Sequence, residues 1–152
     1  AIADDWKFYC FMGRVGLSMQ RDLRGSPNHA DWRFAFRDRA WQDLGPVKFA
    51  DRHDSELAPP SDPAALVEVA ERLSGLVGRP FLRVDLFESE RGPLLGEFTP
   101  APGPPEVFSP EIDRMLGELW EQAETAWFAR EVAAGVWDHL RVTPSDVKAD
   151  RT

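Results

Sequence analysis

Asp85 lies in the run Phe81-Leu82-Arg83-Val84-Asp85-Leu86-Phe87, and Glu97 in Leu94-Leu95-Gly96-Glu97-Phe98-Thr99. The turn-forming Arg91-Gly92-Pro93 between the runs predicts a hairpin that brings the two carboxylates side by side. Two carboxylates close together among apolar neighbours repel, and each resists ionisation unless a cation sits between them. Oxygen-only ligands of this kind suit magnesium, which takes one or two carboxylates together with phosphate oxygens. Thr99, two residues after Glu97 on the same side of its strand, offers a third oxygen. The same spacing also fits a solvated sheet face on which Asp85 and Glu97 pair with Arg83 and other arginines. Spacing alone leaves both readings open.

Other chemistries have less to stand on. His29, His53 and His139 are scattered and match no metal spacing. Neither a Walker-type glycine loop nor a dinucleotide fingerprint appears. Cys10 is the only cysteine, so no internal disulfide forms, and a reducing cytoplasm is the expected compartment. Its setting in Phe8-Tyr9-Cys10-Phe11 is that of a small buried hydrophobe. A formal charge of −8 argues against binding duplex nucleic acid, which rests on many cationic contacts with phosphate. It leaves room for a small anionic ligand held by a local cluster of cations. No run approaches the roughly 20 apolar residues of a membrane span, and the N-terminal residues lack the order of a signal peptide.

The elements that must position these residues follow from periodicity and punctuation. With 43% hydrophobic residues, six tryptophans and ten phenylalanines, the 152 residues can build one ordinary core. Residues 6–12 and 14–20 read as strands joined at Gly13, the first central and covered because it is aromatic on both faces. Trp32 to Phe36 suggests another short strand, inside a stretch whose aromatics make it pack down. Ser61 or Asp62 can cap a helix with Pro63 in its first turn, an apolar stripe of Leu66, Val69, Ala70, Leu73 and Val77, and Gly78 as its stop. Pro80 to Glu88 is strand-like, with Phe81, Arg83, Asp85 and Phe87 on one face and Leu82, Val84 and Leu86 on the other. After a proline-rich loop, helix is expected from Ser109 or Pro110 to about Trp120, and again from Glu121 to Leu140. Ala126, Trp127, Val132, Ala133, Val136 and Trp137 line its apolar side, expected to pack on the sheet or the preceding helix. The fold class expected is α+β: an antiparallel sheet built from two β-hairpins with helices packed on one face.

The order Arg83-Val84-Asp85, then Glu97-Phe98-Thr99, then Pro102-Gly103 resembles the metal-binding hairpin of ATP-grasp enzymes. More closely, the chain resembles the TupA-like ATP-grasp family, linked to cell-surface polysaccharide biosynthesis. Asp4 to Gly13 looks like that family's strand leading out of the adenine hinge, and Phe36-Arg37-Asp38-Arg39-Ala40-Trp41 looks like its aromatic-x-aspartate-x-x-tryptophan segment. The resemblance covers roughly residues 4–120.

What it implies is a C-terminal ATP-grasp lobe over residues 1–142, with 143–152 a flexible tail. Asp85 and Glu97, with Thr99, would hold magnesium on the phosphates of ATP. Arg83 would stabilise charge on the transferred phosphate or the tetrahedral intermediate, and Lys7 would reach phosphate or substrate. Lys7 has the alternative of a strand-edge lysine in solvent. The implied reaction joins a small carboxylate and an amine through an acylphosphate.

Three departures stand out. The N-terminal lobe would have to come in cis from a longer protein or in trans from a partner, with an oligomer as one such arrangement. Pro104 and Pro105 follow Gly103 where the family has small residues with free N–H groups. Thr99 also stands where many ATP-grasp enzymes have asparagine. The competing expectation is a non-catalytic binding or scaffold module that kept the hairpin sheet for stability.

Overall fold

A computed structural model of the chain describes residues 5–48, 51–101 and 107–140. Pro102 to Pro105 and the tail after Thr143 lie outside the described residues.

Five strands form one antiparallel sheet: β1 (Asp5–Phe11), β2 (Arg14–Asp22), β3 (Arg33–Arg37), β4 (Phe81–Ser89) and β5 (Gly92–Thr99), in the order β3-β2-β1-β4-β5. The strand with aromatics on both faces is central, as its pattern requires, and every residue of β1 is buried. Met12 and Gly13 close the β1–β2 hairpin with φ of 48° and 85°, the positive pair that a primed two-residue turn needs. The β4–β5 turn lies at Glu90-Arg91, one residue earlier than expected, and Gly92 and Pro93 already belong to β5. Proline is tolerated there because β5 is an edge strand.

Helix α1 (Pro63–Val77) starts where Asp62 accepts a hydrogen bond from the Ala65 N–H at 2.9 Å and ends at Gly78, whose φ is 65°. Its packed face is turned slightly from the expected stripe. Leu66, Val67, Ala70 and Ser74 are buried and Val69 and Leu73 pack beside them, while Val77 is 42% exposed at the helix end. Against them lie Trp6, Phe8, Cys10, Val15, Leu82, Val84 and Leu86. Burial pushes the Cys10 thiol up to about 12, so it is an inert packing residue. Arg39 and the Val15 N–H both bond Glu71 of α1, tying the first hairpin to the helix.

Helix α2 (Pro110–Ala133) is continuous across the two stretches expected, then stops short of Leu140 near Gly135, whose φ is 72°. It contacts the opposite face of the sheet from α1, through Ile112 and Ala123 with Met115, Leu116 and Leu119, against Tyr9, Phe11, Leu17 and Phe81. The α+β class and the two-hairpin sheet stand. The helices, however, are divided between the faces, because the even positions of β1 and β4 are apolar and so are Tyr9, Phe11 and Phe81 at one end of the odd face, and each apolar surface needs a cover. The distal half of α2 and the turn after it also depart from expectation: Ala126, Val132, Ala133 and Val136 are exposed. Arg130 reaches from there to the Gly78 carbonyl at 2.6 Å, linking the end of α2 to the end of α1.

Two leucines of α1 give a direct check. Leu66 is 1% exposed and Leu76 is 76% exposed. In urea denaturation Leu66→Ala should cost roughly 2–5 kcal/mol, and Leu76→Ala no more than about 0.5 kcal/mol.

Candidate functional site

The face of the sheet that meets α2 is apolar at one end of β1 and charged at the other. Asp5 and Lys7 are one step apart on that face, followed by Tyr9 and Phe11. Lys7 is 8% exposed and lies on the central strand, so it is not a strand-edge lysine in solvent. A buried ammonium must be paired, and Lys7 Nζ sits 2.5 Å from Asp85 Oδ2 and 2.8 Å from Asp5 Oδ2. Asp85 is 3% exposed and directly opposite Lys7 in the β1–β4 register.

Each carboxylate is held again from its other side. Arg21 forks onto Asp5 at 3.1 and 2.6 Å and lies over the Trp32 ring. Arg83 forks onto Asp85 at 2.8 and 3.0 Å, and its Nη2 also donates to Thr99 Oγ1 at 3.0 Å. Burial opposes the Arg83 charge, but the hydrogen bonds and charge of Asp85, with Tyr9 and Glu97, hold its pKa above the ordinary arginine value. Arg83 Nη1 makes no hydrogen bond among the described residues. Thr99 Oγ1 donates in turn to Glu97 Oε1 at 3.2 Å. The result is a line of alternating charge across four strands, Arg21–Asp5–Lys7–Asp85–Arg83, continued through Thr99 to Glu97. Glu97 is its exposed end.

Two register shifts make this line. In the first hairpin Cys10 pairs with Val15 but Tyr9 pairs with Leu17, which leaves Gly16 as an extra residue and puts Arg21, not Gln20, opposite Asp5. In the second, Leu86 pairs with Leu95 but Asp85 pairs with Glu97, leaving Gly96 as the extra residue. A Cβ on Gly96 would come within 2.5 Å of the Phe87 ring, and one on Gly16 within 2.8 Å of the Phe11 ring and of Leu119. Each bulge has space only for glycine unless those rings move.

The expected site residues Lys7, Arg83, Asp85, Glu97 and Thr99 therefore share one face and one network. Asp5 and Arg21 belong to it as well and were not expected. Asp5 was legible as the same-face neighbour of Lys7, but Arg21 was hidden by the bulge at Gly16. Of the open alternatives for Asp85, pairing with Arg83 is met, though in a buried rather than a solvated setting.

The donor set fits magnesium. Asp85 and Glu97 are directly opposed, with Cβ atoms about 5 Å apart as in any such pair, and all the donors are oxygens. Among the described residues no group of three His, Cys, Asp or Glu side chains gathers to hold a metal. A cation here would fill its shell with Thr99, phosphate oxygens and water, the habit of magnesium. Beside the charged line on the same face is a cavity of about 290 Å³, lined by Tyr9, Phe11, Phe81, Phe108, Leu116, Gly117, Trp120 and Asp113.

The site thus combines a carboxylate pair on a bulged hairpin of an antiparallel sheet, an arginine two residues before the first acid and a helix over the adjoining face. The model of the TupA-like ATPgrasp family matches residues 2–121, and the chain belongs to that family. Among solved structures, the chain is similar to the ATP-grasp ligase PsnB, solved with a phosphomimetic variant of minimal precursor, Mg and ADP. The identity is 12%, covering 77% of this chain and 33% of that one, with a TM-score of 0.42, at which the likeness carries no argument of its own. No curated protein matches the chain. No helix among the described residues is long and apolar enough to cross a membrane.

The buried line can be tested by removing its middle. Lys7→Met leaves Asp5 and Asp85 facing each other without the ammonium, and should cost roughly 3–5 kcal/mol in urea denaturation. Arg24→Met, which breaks half-exposed pairs with Asp22 and Asp54, should cost no more than about 1 kcal/mol. Equal costs would mean that the line carries no special weight.

Proposed function

We propose that this chain supplies the Mg·ATP-holding half of a carboxylate–amine ligase, with a partner lobe, in cis or in trans, closing over the nucleotide. The observation that carries the reading is Glu97, an exposed carboxylate set opposite buried Asp85 by a glycine bulge, in a chain of the ATP-grasp family. Asp85 and Glu97 would hold magnesium, with Thr99 orienting Glu97 by its hydrogen bond. Bound Mg·ATP supplies the phosphoryl group and neutralises charge on the phosphates.

The chain's own groups do the rest. Arg83 is fixed by Asp85 and Thr99, so the two N–H groups of Nη1 can point at an anionic oxygen without reorganising, either on the transferred phosphate or on the intermediate that the amine forms in displacing it. Lys7 holds Asp85 in place. Its ammonium is already taken by two carboxylates, so it acts on the phosphates through Asp85. No protein nucleophile is needed, because the carboxylate substrate is activated as an acylphosphate and the amine displaces phosphate. The family's link to cell-surface polysaccharide supports a product amide that decorates such a polymer, made in the cytoplasm.

One observation favours a second reading. Both oxygens of Asp85 are engaged by Lys7 and Arg83, as in a network kept only for stability. Calorimetric titration separates the two. With only two carboxylates gathered, magnesium alone should give no heat, ATP with magnesium should bind, and Glu97→Gln should weaken that binding by roughly tenfold or more. A folded chain that gives no heat with Mg·ATP would be a binding or scaffold module instead.

A further inference from the structure

We propose that the cavity between the sheet and α2 holds the organic body of the carboxylate substrate, and that this body is flat and apolar: the substrate is an aromatic monocarboxylic acid. The proposal rests on the ligase reading above, which brings an activated carboxylate to Arg83.

Position comes first. Phe81 is the same-face neighbour of Arg83 on β4, and Tyr9 is the residue directly opposite Arg83 on β1. Both line the cavity, so it begins where the charged line ends. A ligand whose carboxylate accepts from Arg83 Nη1 therefore extends into the cavity along the strands.

The walls decide the body. Tyr9, Phe11, Phe81, Phe108 and Trp120 form a contiguous ring cluster, with Tyr9–Phe108 and Phe11–Phe81 edge-to-face and Phe81–Trp120 tilted at 6.1 Å. Rings in such contacts take another ring readily, edge-to-face or offset. A polyhydroxylated body such as a sugar acid would leave hydroxyls against these walls without partners, which is costly. At about 290 Å³ the cavity is near the lower end of small-molecule sites, roughly 300–1,000 Å³. Asp113, exposed on the cavity lining, repels a second carboxylate and so selects a monoacid.

Gly117 gives an independent reason to regard the space as used. It lies inside α2, where glycine is among the poorest helix formers. Among the described residues a Cβ there would meet nothing within 4 Å. No described residue requires it to be small, yet it lines the cavity. Its lack of a side chain leaves room that a ligand can fill.

The test is titration of the chain with 3-phenylpropionate, followed by Trp fluorescence, beside phenethylamine and glucuronate as probes of the opposite charge and the polar body. The expected result is binding of phenylpropionate alone. Gly117→Leu, which fills the cavity and favours the helix, should weaken that binding by roughly tenfold or more without lowering the urea midpoint. Equal binding of phenethylamine or glucuronate, unchanged binding in Gly117→Leu, or no phenylpropionate binding by a folded chain would each overturn the proposal. Mg·ATP titration of the same unmodified sample distinguishes the two failures. Nucleotide binding without acid binding removes the aromatic-acid site and leaves the ligase reading. Acid binding without nucleotide binding removes the ligase reading and leaves a site for aromatic acids.

Discussion

Lys7 puts an ammonium in the middle of the central strand, where it is 8% exposed. Burying such a charge unpaired would cost more than most single interactions in a domain return. Its neutralisation therefore constrains what surrounds it. Asp5 comes from the same strand and Asp85 from the next, and each then requires a second cation, Arg21 and Arg83. The Arg21–Asp5 and Lys7–Asp85 links cross strand boundaries, so the network fixes register as well as charge. A slip of one residue would turn Asp85 toward the core under α1 and leave the ammonium without its partner.

The glycines at positions 16 and 96 reconcile that requirement with the hairpins. A plain two-residue turn at either hairpin would place Gln20 opposite Asp5 and Gly96 opposite Asp85. One extra residue in each outer strand brings Arg21 and Glu97 there instead. The same bulge at Gly96 lets Leu95 pair with Leu86 on the α1 side while Glu97 faces the other way. The second hairpin thus serves the core with one half and the site with the other. The charged line is saturated inside, and Glu97 is its exposed end, beside Thr99 and an Arg83 Nη1 that bonds none of the described residues.

Much of this could be seen in the residue pattern. Asp62, Pro63 and Gly78 bound α1 because capping chemistry is local, and the alternation in Phe81 to Phe87 gave both faces of β4 correctly. The pairing of Asp85 with Glu97 needed only a turn between two apolar runs. What escaped depended on register and on distant packing. Arg21 was hidden because counting back from a turn cannot reveal a bulge. The division of the helices between the two faces was not apparent, since an apolar face does not say which helix covers it. Residues 126–136, the end of α2 and the turn after it, looked apolar, yet Val132 and Val136 are exposed, and the residues of α2 that join the core beneath it lie earlier, from Ile112 to Ala123. Of the segments that resemble the family, Phe36 to Trp41 forms a strand end and a turn bonded through Asp38, with Trp41 packed against Phe8 and no part in the charged line.

Whether the exposed end of the line holds a metal is best measured by where a metal goes. With manganese in place of magnesium and ATP present, paramagnetic broadening of the backbone amide signals locates the ion on the sheet. The signals of Asp85, Glu97 and Thr99 should disappear first, and those of Arg39 and Glu71 on the α1 side should persist. Broadening centred on Arg39 and Glu71, or none at all from a folded chain with ATP and manganese, would contradict a metal site on this hairpin and leave the buried line as a device of stability alone.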